Sequence, residues 1–132
     1  MIVSEPKGPA LAWYRLHTGY SPRADATILA SIDPDHHYRA VLVFQNWYGP
    51  DIEIGTAATT LPRSLLRAAY RYAVTQLGVR RVTFRIRADN TNAIIALGRL
   101  GAKQEGVIRK FYKDGCDELL FGVLKEDYPY HG

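Results

Sequence analysis

The residues best suited to binding a ligand lie between two short strands in the second half of the chain. From Arg81 to Ala88, polar and apolar residues alternate, which predicts a strand with one buried face. Asp89-Asn90-Thr91-Asn92 follows, and these residue types favour turns and helix caps. Apolar residues then recur at helical spacing up to Gly101, which suits the left-handed end of a helix. Because the start of a helix exposes unpaired N–H groups, this unit predicts a site for an anion or a polar ligand tail.

Three arginines, Arg81, Arg85 and Arg87, share one face of that strand. An interior strand should not carry three guanidinium groups without partners. We therefore expect this face either to open into a cleft or to pair with acidic residues. Binding of an acidic substrate or of nucleic acid is a third interpretation. No metal site is expected, because the adjacent His36 and His37 would point in opposite directions on a strand.

The elements that position this unit form a single α/β (α+β) domain spanning residues 1–132. Short turns between the first strands predict antiparallel pairing, whereas a helix between 51–56 and 82–88 makes those two strands parallel neighbours. We expect residues 1–8 to be a loose N-terminal arm and residues 126–132 to be a polar, aromatic tail. The patterns predict helices over 9–17, 62–77 and 93–100 and strands over 26–32, 38–47, 51–56, 82–88, 104–112 and 118–125.

Composition restricts the class of protein. The 132 residues are 47% hydrophobic and 23% charged, with a net charge of +4, which is typical of a folded soluble domain. No apolar run is long enough to cross a membrane, and the N-terminus lacks the pattern of a secretory signal. Cys116 is the only cysteine, so no internal disulfide can form. We expect a cytoplasmic monomer or homodimer without a membrane or nucleic-acid partner.

The sequence resembles the GNAT N-acetyltransferase superfamily, and within it the ribosomal-protein acetyltransferases and the short GNAT-like proteins of phages. The resemblance extends from about Ala26 to Tyr128. It implies a mixed, mostly antiparallel sheet with helices on both faces and a central pair of parallel strands that splay apart. For a phage-like member, the location would be the host cytoplasm. The residues that carry the resemblance are Asn90-x-x-Ala93, Leu100-Gly101, Glu105-Gly106, Arg109 and Asp117 to Gly122, with Phe44 to Trp47, Asp51 to Ile54 and Gln76 to Thr83 upstream.

The resemblance also implies a function, the transfer of an acetyl group from acetyl-CoA to a primary amine by direct attack in a ternary complex. The acceptor would be a small molecule, a protein N-terminus or a lysine. Glu53 is the expected general base, with Asp51 and Tyr38 as alternatives, and the N–H near Gly55 would polarise the thioester carbonyl. The expected cofactor-binding residues are Ile54, Gly55, Thr56 and Ala57 for the pantetheine arm, Pro62, Arg63, Ser64 and Leu65 for the pyrophosphate, and Asn90 and Ala93 near the thiol.

Two positions depart from the family pattern. The loop from Thr60 to Leu65 contains none of the glycines that usually admit the pyrophosphate. Leu97 stands where many members have a tyrosine that protonates the leaving thiolate. These departures support a second hypothesis, in which the chain is a catalytically weak or inactive GNAT-fold binding module, such as a component of a phage virion or a host-interaction protein.

Overall fold

The computed structural model describes residues 1–130, so the part of the expected C-terminal tail at residues 131 and 132 lies outside the described residues. Its seven strands form one sheet in chain order, except that the last strand lies between the fifth and the sixth. A π-helix over Arg71–Gln76 extends the second helix, and a 3₁₀ turn over Lys125–Asp127 follows the last strand. The elements are β1 (Ile2–Val3), α1 (Lys7–Thr18), β2 (Thr27–Ile32), β3 (Tyr38–Tyr48), β4 (Asp51–Ala58), α2 (Arg63–Tyr70), β5 (Arg81–Arg87), α3 (Thr91–Arg99), β6 (Lys103–Ile108) and β7 (Glu118–Leu124).

The sheet is antiparallel except for its central pair, β4 and β5, which is parallel as predicted. The two strands pair from Asp51↔Arg81 to Thr56↔Ile86. Strand β4 continues for two more residues, Ala57 and Ala58, which still pair with β3 but have no partner on β5. The parallel strands therefore part at their carboxyl ends, and the expected mixed α/β sheet with a splayed central pair is confirmed.

Helices cover both faces of the sheet, which produces two hydrophobic cores. The larger core lies under α2 and α3 and includes Ile54, Leu65 and Phe84, none of which is exposed. The smaller core lies under α1 and includes Tyr14 and Val43. Since successive strand residues point to opposite faces, the apolar stretch of β3 contributes to both cores. None of the helices within residues 1–130 has the length and apolar character needed to cross a lipid bilayer.

The N-terminal arm, expected to be loose, is ordered, and so is the described part of the C-terminal tail. Ile2–Val3 extend the sheet by pairing with β2, and α1 already begins at Lys7. At the other end, Tyr128 is only 1% exposed, and its hydroxyl donates a hydrogen bond to the Leu66 carbonyl at 2.8 Å. Both ends are mostly polar in composition, but each contains apolar side chains. Burial of these side chains is sufficient to order the backbone around them.

Two predicted elements differ from expectation. The strand predicted over residues 104–112 ends at Ile108. Lys110 has a positive φ of 54°, and its N–H donates to Asp117, so the chain turns back there. The helix predicted over residues 62–77 changes from α to π geometry at Arg71. The segment 109–117 therefore forms a loop that lies against the end of β5.

Candidate active site

A cleft of about 500 Å³ opens at the carboxyl ends of β4 and β5. Ligands of sheets with parallel strands bind at this end, where neighbouring strands separate. The end of α1 forms one wall of the cleft, and the loop between β6 and β7 forms another. The lining residues are Leu16, His17, Thr18, Gly19, Thr56, Ala57, Ala58, Arg87, Asp89, Asn90, Lys113 and Asp114.

Asn90 connects the two sides of this opening. Its Oδ1 accepts a hydrogen bond from the Ala93 N–H at 3.3 Å, so it caps α3. Its Nδ2 donates to the Ala58 carbonyl at 3.1 Å, across the gap between β5 and β4. Asn92 makes a similar bond to the Thr59 carbonyl at 3.3 Å. Asn90 thus combines the capping role that its residue type favours with the position in the cleft that the resemblance implies.

Along β4, the backbone N–H and carbonyl groups of successive residues point alternately to the two neighbouring strands. The Thr59 N–H donates to the Arg39 carbonyl at 2.9 Å, which continues the pairing with β3. Gly55 lies four residues earlier in the same alternation, so its N–H also faces β3 rather than the cleft. Ala58 has the opposite orientation and lies beyond the last pair with β5. The Ala58 N–H is therefore the backbone donor of β4 that faces the cleft. Sequence reasoning missed this residue.

Gly55 has a different structural role, because it gives space to the Tyr14 hydroxyl. A Cβ atom at position 55 would overlap Tyr14 Oη and would lie 3.2 Å from Tyr14 Cζ. Tyr14 is 3% exposed, and burial raises the pKa of its phenol well above the ordinary value. The tyrosine thus stays protonated and holds α1 against the strand that lines the cleft.

The loop expected to bind pyrophosphate leaves two backbone donors unbonded. The N–H groups of Thr59 and Thr60 both donate to the Arg39 carbonyl. Helix α2 starts after Pro62 without a side-chain cap, and the Leu65 N–H donates to the Pro62 carbonyl. The first N–H groups of a helix have no partner within it, so those of Arg63 and Ser64 remain available. Pro62 has no N–H and Leu65 is fully buried, so these two predicted residues do not offer donors.

A narrower groove of about 200 Å³ runs between α2 and α3. Arg63 and Arg99 line it, together with Leu61, Leu66 and Tyr130. Neither arginine forms a salt bridge with an acidic side chain among residues 1–130. Arg99 was not predicted as a site residue, because only the packing of α3 beside α2 brings it near the start of α2. The groove therefore presents two unneutralised positive charges next to the free N–H groups of α2.

Acidic partners account for all three arginines of β5, which confirms the expected pairing with acidic residues, and Arg87 also lines the cleft. Arg81 pairs with Asp51 and Glu105, Arg85 with Glu53 and Glu118, and Arg87 with Asp89 and Asp114. Burial raises the pKa of the Glu118 carboxyl even though Arg85 opposes that shift. This strand consequently lacks the unpaired cations that a phosphate backbone would require.

Glu53, the expected general base, is held in one of these pairs. Its Oε1 accepts hydrogen bonds from Arg85 Nη1 at 2.8 Å and from Asn46 Nδ2 at 3.1 Å. It does not line the cleft. The carboxylate is therefore engaged on the α1 side of the sheet, away from the point at which β4 and β5 part.

His17, which sequence reasoning did not select, is better placed to accept a proton. It lines the cleft at the end of α1, and its Nδ1 lies 2.9 Å from the Trp13 carbonyl. Because a carbonyl can only accept a hydrogen bond, this contact places the proton on Nδ1 and leaves Nε2 with a free lone pair. Only the approach of α1 to β4 brings this histidine to the cleft.

The turn between β2 and β3 brings together Asp33, Asp35 and His37, whose potential ligand atoms lie within 4.8 Å of one another. Asp33 Oδ1 accepts hydrogen bonds from the N–H groups of Asp35 and His37, at 2.9 and 3.0 Å. These contacts account for the cluster as part of a turn. The expectation of no metal site stays a prediction.

Comparison with known proteins identifies the fold. No family model and no curated protein matches the sequence. A mutant form of the spermidine/spermine N-acetyltransferase SpeG from Vibrio cholerae superimposes with a TM-score of 0.69 at 14% identity, over 97% of this chain and 96% of that chain. Spermidine N-acetyltransferase from Vibrio cholerae in complex with CoA and spermine gives 0.67 at 12% identity, over 97% and 96%.

A candidate acetyltransferase from T. thermophilus gives a TM-score of 0.66 at 25% identity, over 81% of this chain and 63% of that chain. These likenesses do not distinguish a ribosomal-protein or phage-type branch, which stays a prediction. In the case of SpeG they extend over nearly the whole chain. The chain therefore has the fold of the GNAT N-acetyltransferases.

Proposed function

We propose that this chain is an N-acetyltransferase that moves the acetyl group of acetyl-CoA to a primary amine. The observation that carries the proposal is the parting of β4 and β5 beside a cleft of about 500 Å³, next to the uncapped start of α2. The shared fold with SpeG, which has been crystallised with CoA and spermine, adds support. The assignment to a transferase of the ribosomal-protein or phage type is a narrower form of the same proposal.

The residues present fit acetyl-CoA, which would supply an activated thioester when bound. The Ala58 N–H and the Asn90 amide lie at the mouth of the gap and match the amide groups of a pantetheine arm. The N–H groups of Arg63 and Ser64 lie at the positive end of the α2 dipole, which favours phosphate. Arg99 adds a second guanidinium across the groove. A bare helix start thus offers the donors that a glycine-rich loop offers in other members of the superfamily.

The cleft also contains groups suited to the transfer itself. His17 Nε2 would take a proton from the ammonium of the acceptor, directly or through a water molecule, which leaves the nitrogen able to bond to the acetyl carbon. The Ala58 N–H would stabilise the negative charge that develops on the carbonyl oxygen, which is the role first expected of Gly55. Leu97 is fully buried and has no ionisable group, so a water molecule would supply the proton that the leaving sulfur needs.

Binding and turnover of acetyl-CoA test the proposal. Coenzyme A should raise the melting temperature, because a ligand at 100 times its Kd stabilises the native state by about 2.7 kcal/mol. Replacing both Arg63 and Arg99 with alanine should weaken CoA binding about tenfold or more. The matched control is Arg71→Ala, which removes an exposed arginine outside the groove and should leave CoA binding unchanged.

The outcomes separate the proposal from the binding-module hypothesis. Acetylation of an amine that depends on the two groove arginines would support an enzyme. Binding of CoA without transfer to any amine would instead favour a GNAT-fold module that retains only recognition. If millimolar CoA caused no shift in melting temperature and no acetylated product formed, both the cofactor and the activity would be refuted.

A further inference from the structure

The cleft contains two carboxylates, and a single arginine holds both of them. Arg87 Nε and Nη2 donate to the two oxygens of Asp89 at 3.0 and 2.9 Å. Arg87 Nη1 and Nη2 donate to the two oxygens of Asp114 at 3.3 and 2.6 Å. This arrangement joins the end of β5, the loop before α3 and the loop between β6 and β7. Each carboxylate thus has both of its oxygens bonded to Arg87.

The position of Arg87 is fixed by two more contacts. Its Nη1 donates to the Thr18 carbonyl at the end of α1, at 3.4 Å, and its guanidinium lies 4.9 Å from the centre of the Tyr112 ring. The side chain is only 14% exposed. The bonds from Arg87 lower the pKa of both carboxyl groups, so each is ionised at neutral pH. The charges of Arg87, Asp89 and Asp114 are therefore constant in the pH range of an enzyme assay.

The formal charge of the cleft is zero when His17 is neutral. Its lining contains two positive side chains, Arg87 and Lys113, and two negative ones, Asp89 and Asp114. A polyamine carries several ammonium groups and needs several unpaired carboxylates. Here the carboxylates are engaged and Lys113 would repel a second ammonium. A single ammonium group needs less negative charge around it. The carbonyl groups at the end of α1 provide the negative end of a helix dipole.

We propose that Arg87 is a specificity-determining residue that restricts the acceptor to amines with one ammonium group, by neutralising Asp89 and Asp114. This inference rests on the proposed function and narrows its substrate class. It distinguishes the chain from the Vibrio cholerae enzyme, which has been crystallised with spermine. Acceptors of this class include a small monoamine and the N-terminus of a peptide with uncharged side chains.

The test replaces Arg87 with glutamine, which changes the formal charge of the cleft from zero to −1. Acetylation and calorimetric binding are measured with butylamine, a short peptide with uncharged side chains, and spermidine. The wild type should use a monoamine, whether butylamine or the peptide, at least tenfold better than spermidine in kcat/KM. Arg87→Gln should shift that ratio about tenfold towards spermidine, and added salt should reduce the shift.

The matched control is Arg81→Gln. Arg81 lies on the same face of β5 and also pairs with two carboxylates, but it does not line the cleft. It should leave the ratio unchanged. Should Arg87→Gln fail to fold, Lys113→Gln lowers the charge of the cleft by the same amount at an exposed loop position and should shift the ratio in the same direction.

A wild type that prefers spermidine would overturn the proposal. So would a folded Arg87→Gln variant, or the Lys113→Gln substitute, with an unchanged preference. Failure of the proposed function is recognised separately, because it removes CoA binding and acetylation of every amine. Calorimetry with spermidine still decides the role of Arg87 in that case: tighter binding to Arg87→Gln than to the wild type supports it, and equal binding refutes it.

Discussion

Replacement of Gly55 with alanine should destabilise the protein through a single atom, the hydroxyl oxygen of Tyr14. The new Cβ would overlap Oη and lie 3.2 Å from Cζ, within a well-packed region where Tyr14 is 3% exposed. Extra carbon atoms in a packed core typically cost about 1 to 3 kcal/mol, because side chains or backbone must shift. For a chain of this length, about 1 kcal/mol corresponds to roughly 4 °C in melting temperature.

The cause can be isolated by a double-mutant cycle with Tyr14→Phe. This change removes the overlapping oxygen but leaves the ring carbon at 3.2 Å, so it should relieve most of the strain and not all of it. We expect a coupling of about 1 to 2 kcal/mol between the two changes, which is within the range for residues in contact. Urea denaturation of the wild type, both single variants and the double variant measures it.

Gly98 provides a matched glycine-to-alanine control. It lies within α3, and a Cβ atom there would contact nothing within 4 Å. Gly98→Ala should therefore stabilise the protein by up to about 1 kcal/mol through helix propensity. If Gly55→Ala and Tyr14→Phe were additive within about 0.5 kcal/mol, the packing of α1 against β4 described above would be wrong.

The cleft and the contacts that support it lead to three further predictions. His17→Gln should lower kcat by about 100-fold or more without changing the melting temperature, as measured by steady-state acetylation, if Nε2 is the general base; an unchanged kcat would assign the base elsewhere. Asp89 and Asp114 have lowered pKa values in the folded state, so their contribution to stability is present above about pH 3.9 and is lost as pH falls through those lower values. Between pH 5 and pH 3, the free energy of unfolding measured by urea denaturation should therefore fall less in Arg87→Gln than in the wild type. An equal fall in both proteins would contradict this. Tyr128→Phe should lower the free energy of unfolding by about 1 kcal/mol through loss of its hydrogen bond to the Leu66 carbonyl, and denaturation with no change in midpoint would refute that contribution.

Local patterns were sufficient to predict most of the fold. Alternation in β5, the polar cap at Asn90 and the helical spacing before Gly101 each depend on neighbouring residues only, and each element is present. Short turns between β2, β3 and β4 likewise predicted antiparallel pairing correctly. The errors lie where a distant partner decides the structure. β1 is ordered by pairing with β2, and Tyr128 is ordered by its hydrogen bond to Leu66 and its ring contact with Tyr70 of α2.

The candidate site was predictable in location but not in detail. Residue types at a helix start predicted the cap at Asn90, because caps are local properties, whereas the roles of Arg63 and Ser64 were expected only from the family resemblance. Which β4 residue turns its N–H towards the cleft depends on where pairing with β5 stops. For the same reason, the sequence could not show that Arg85 engages Glu53 or that α1 brings His17 to the opening.

The sequence by itself determined most of the elements and the parallel central pair, because periodicity, turns and caps act over a few residues. Tertiary structure alone decided the charge of the cleft and the groups that face it. Asp89 lies near Arg87 in the chain, but Asp114 is 27 residues away, and only the return of the 109–117 loop brings it within hydrogen-bonding distance. Electrostatic neutralisation depends on distance in space, which no local pattern in the chain encodes.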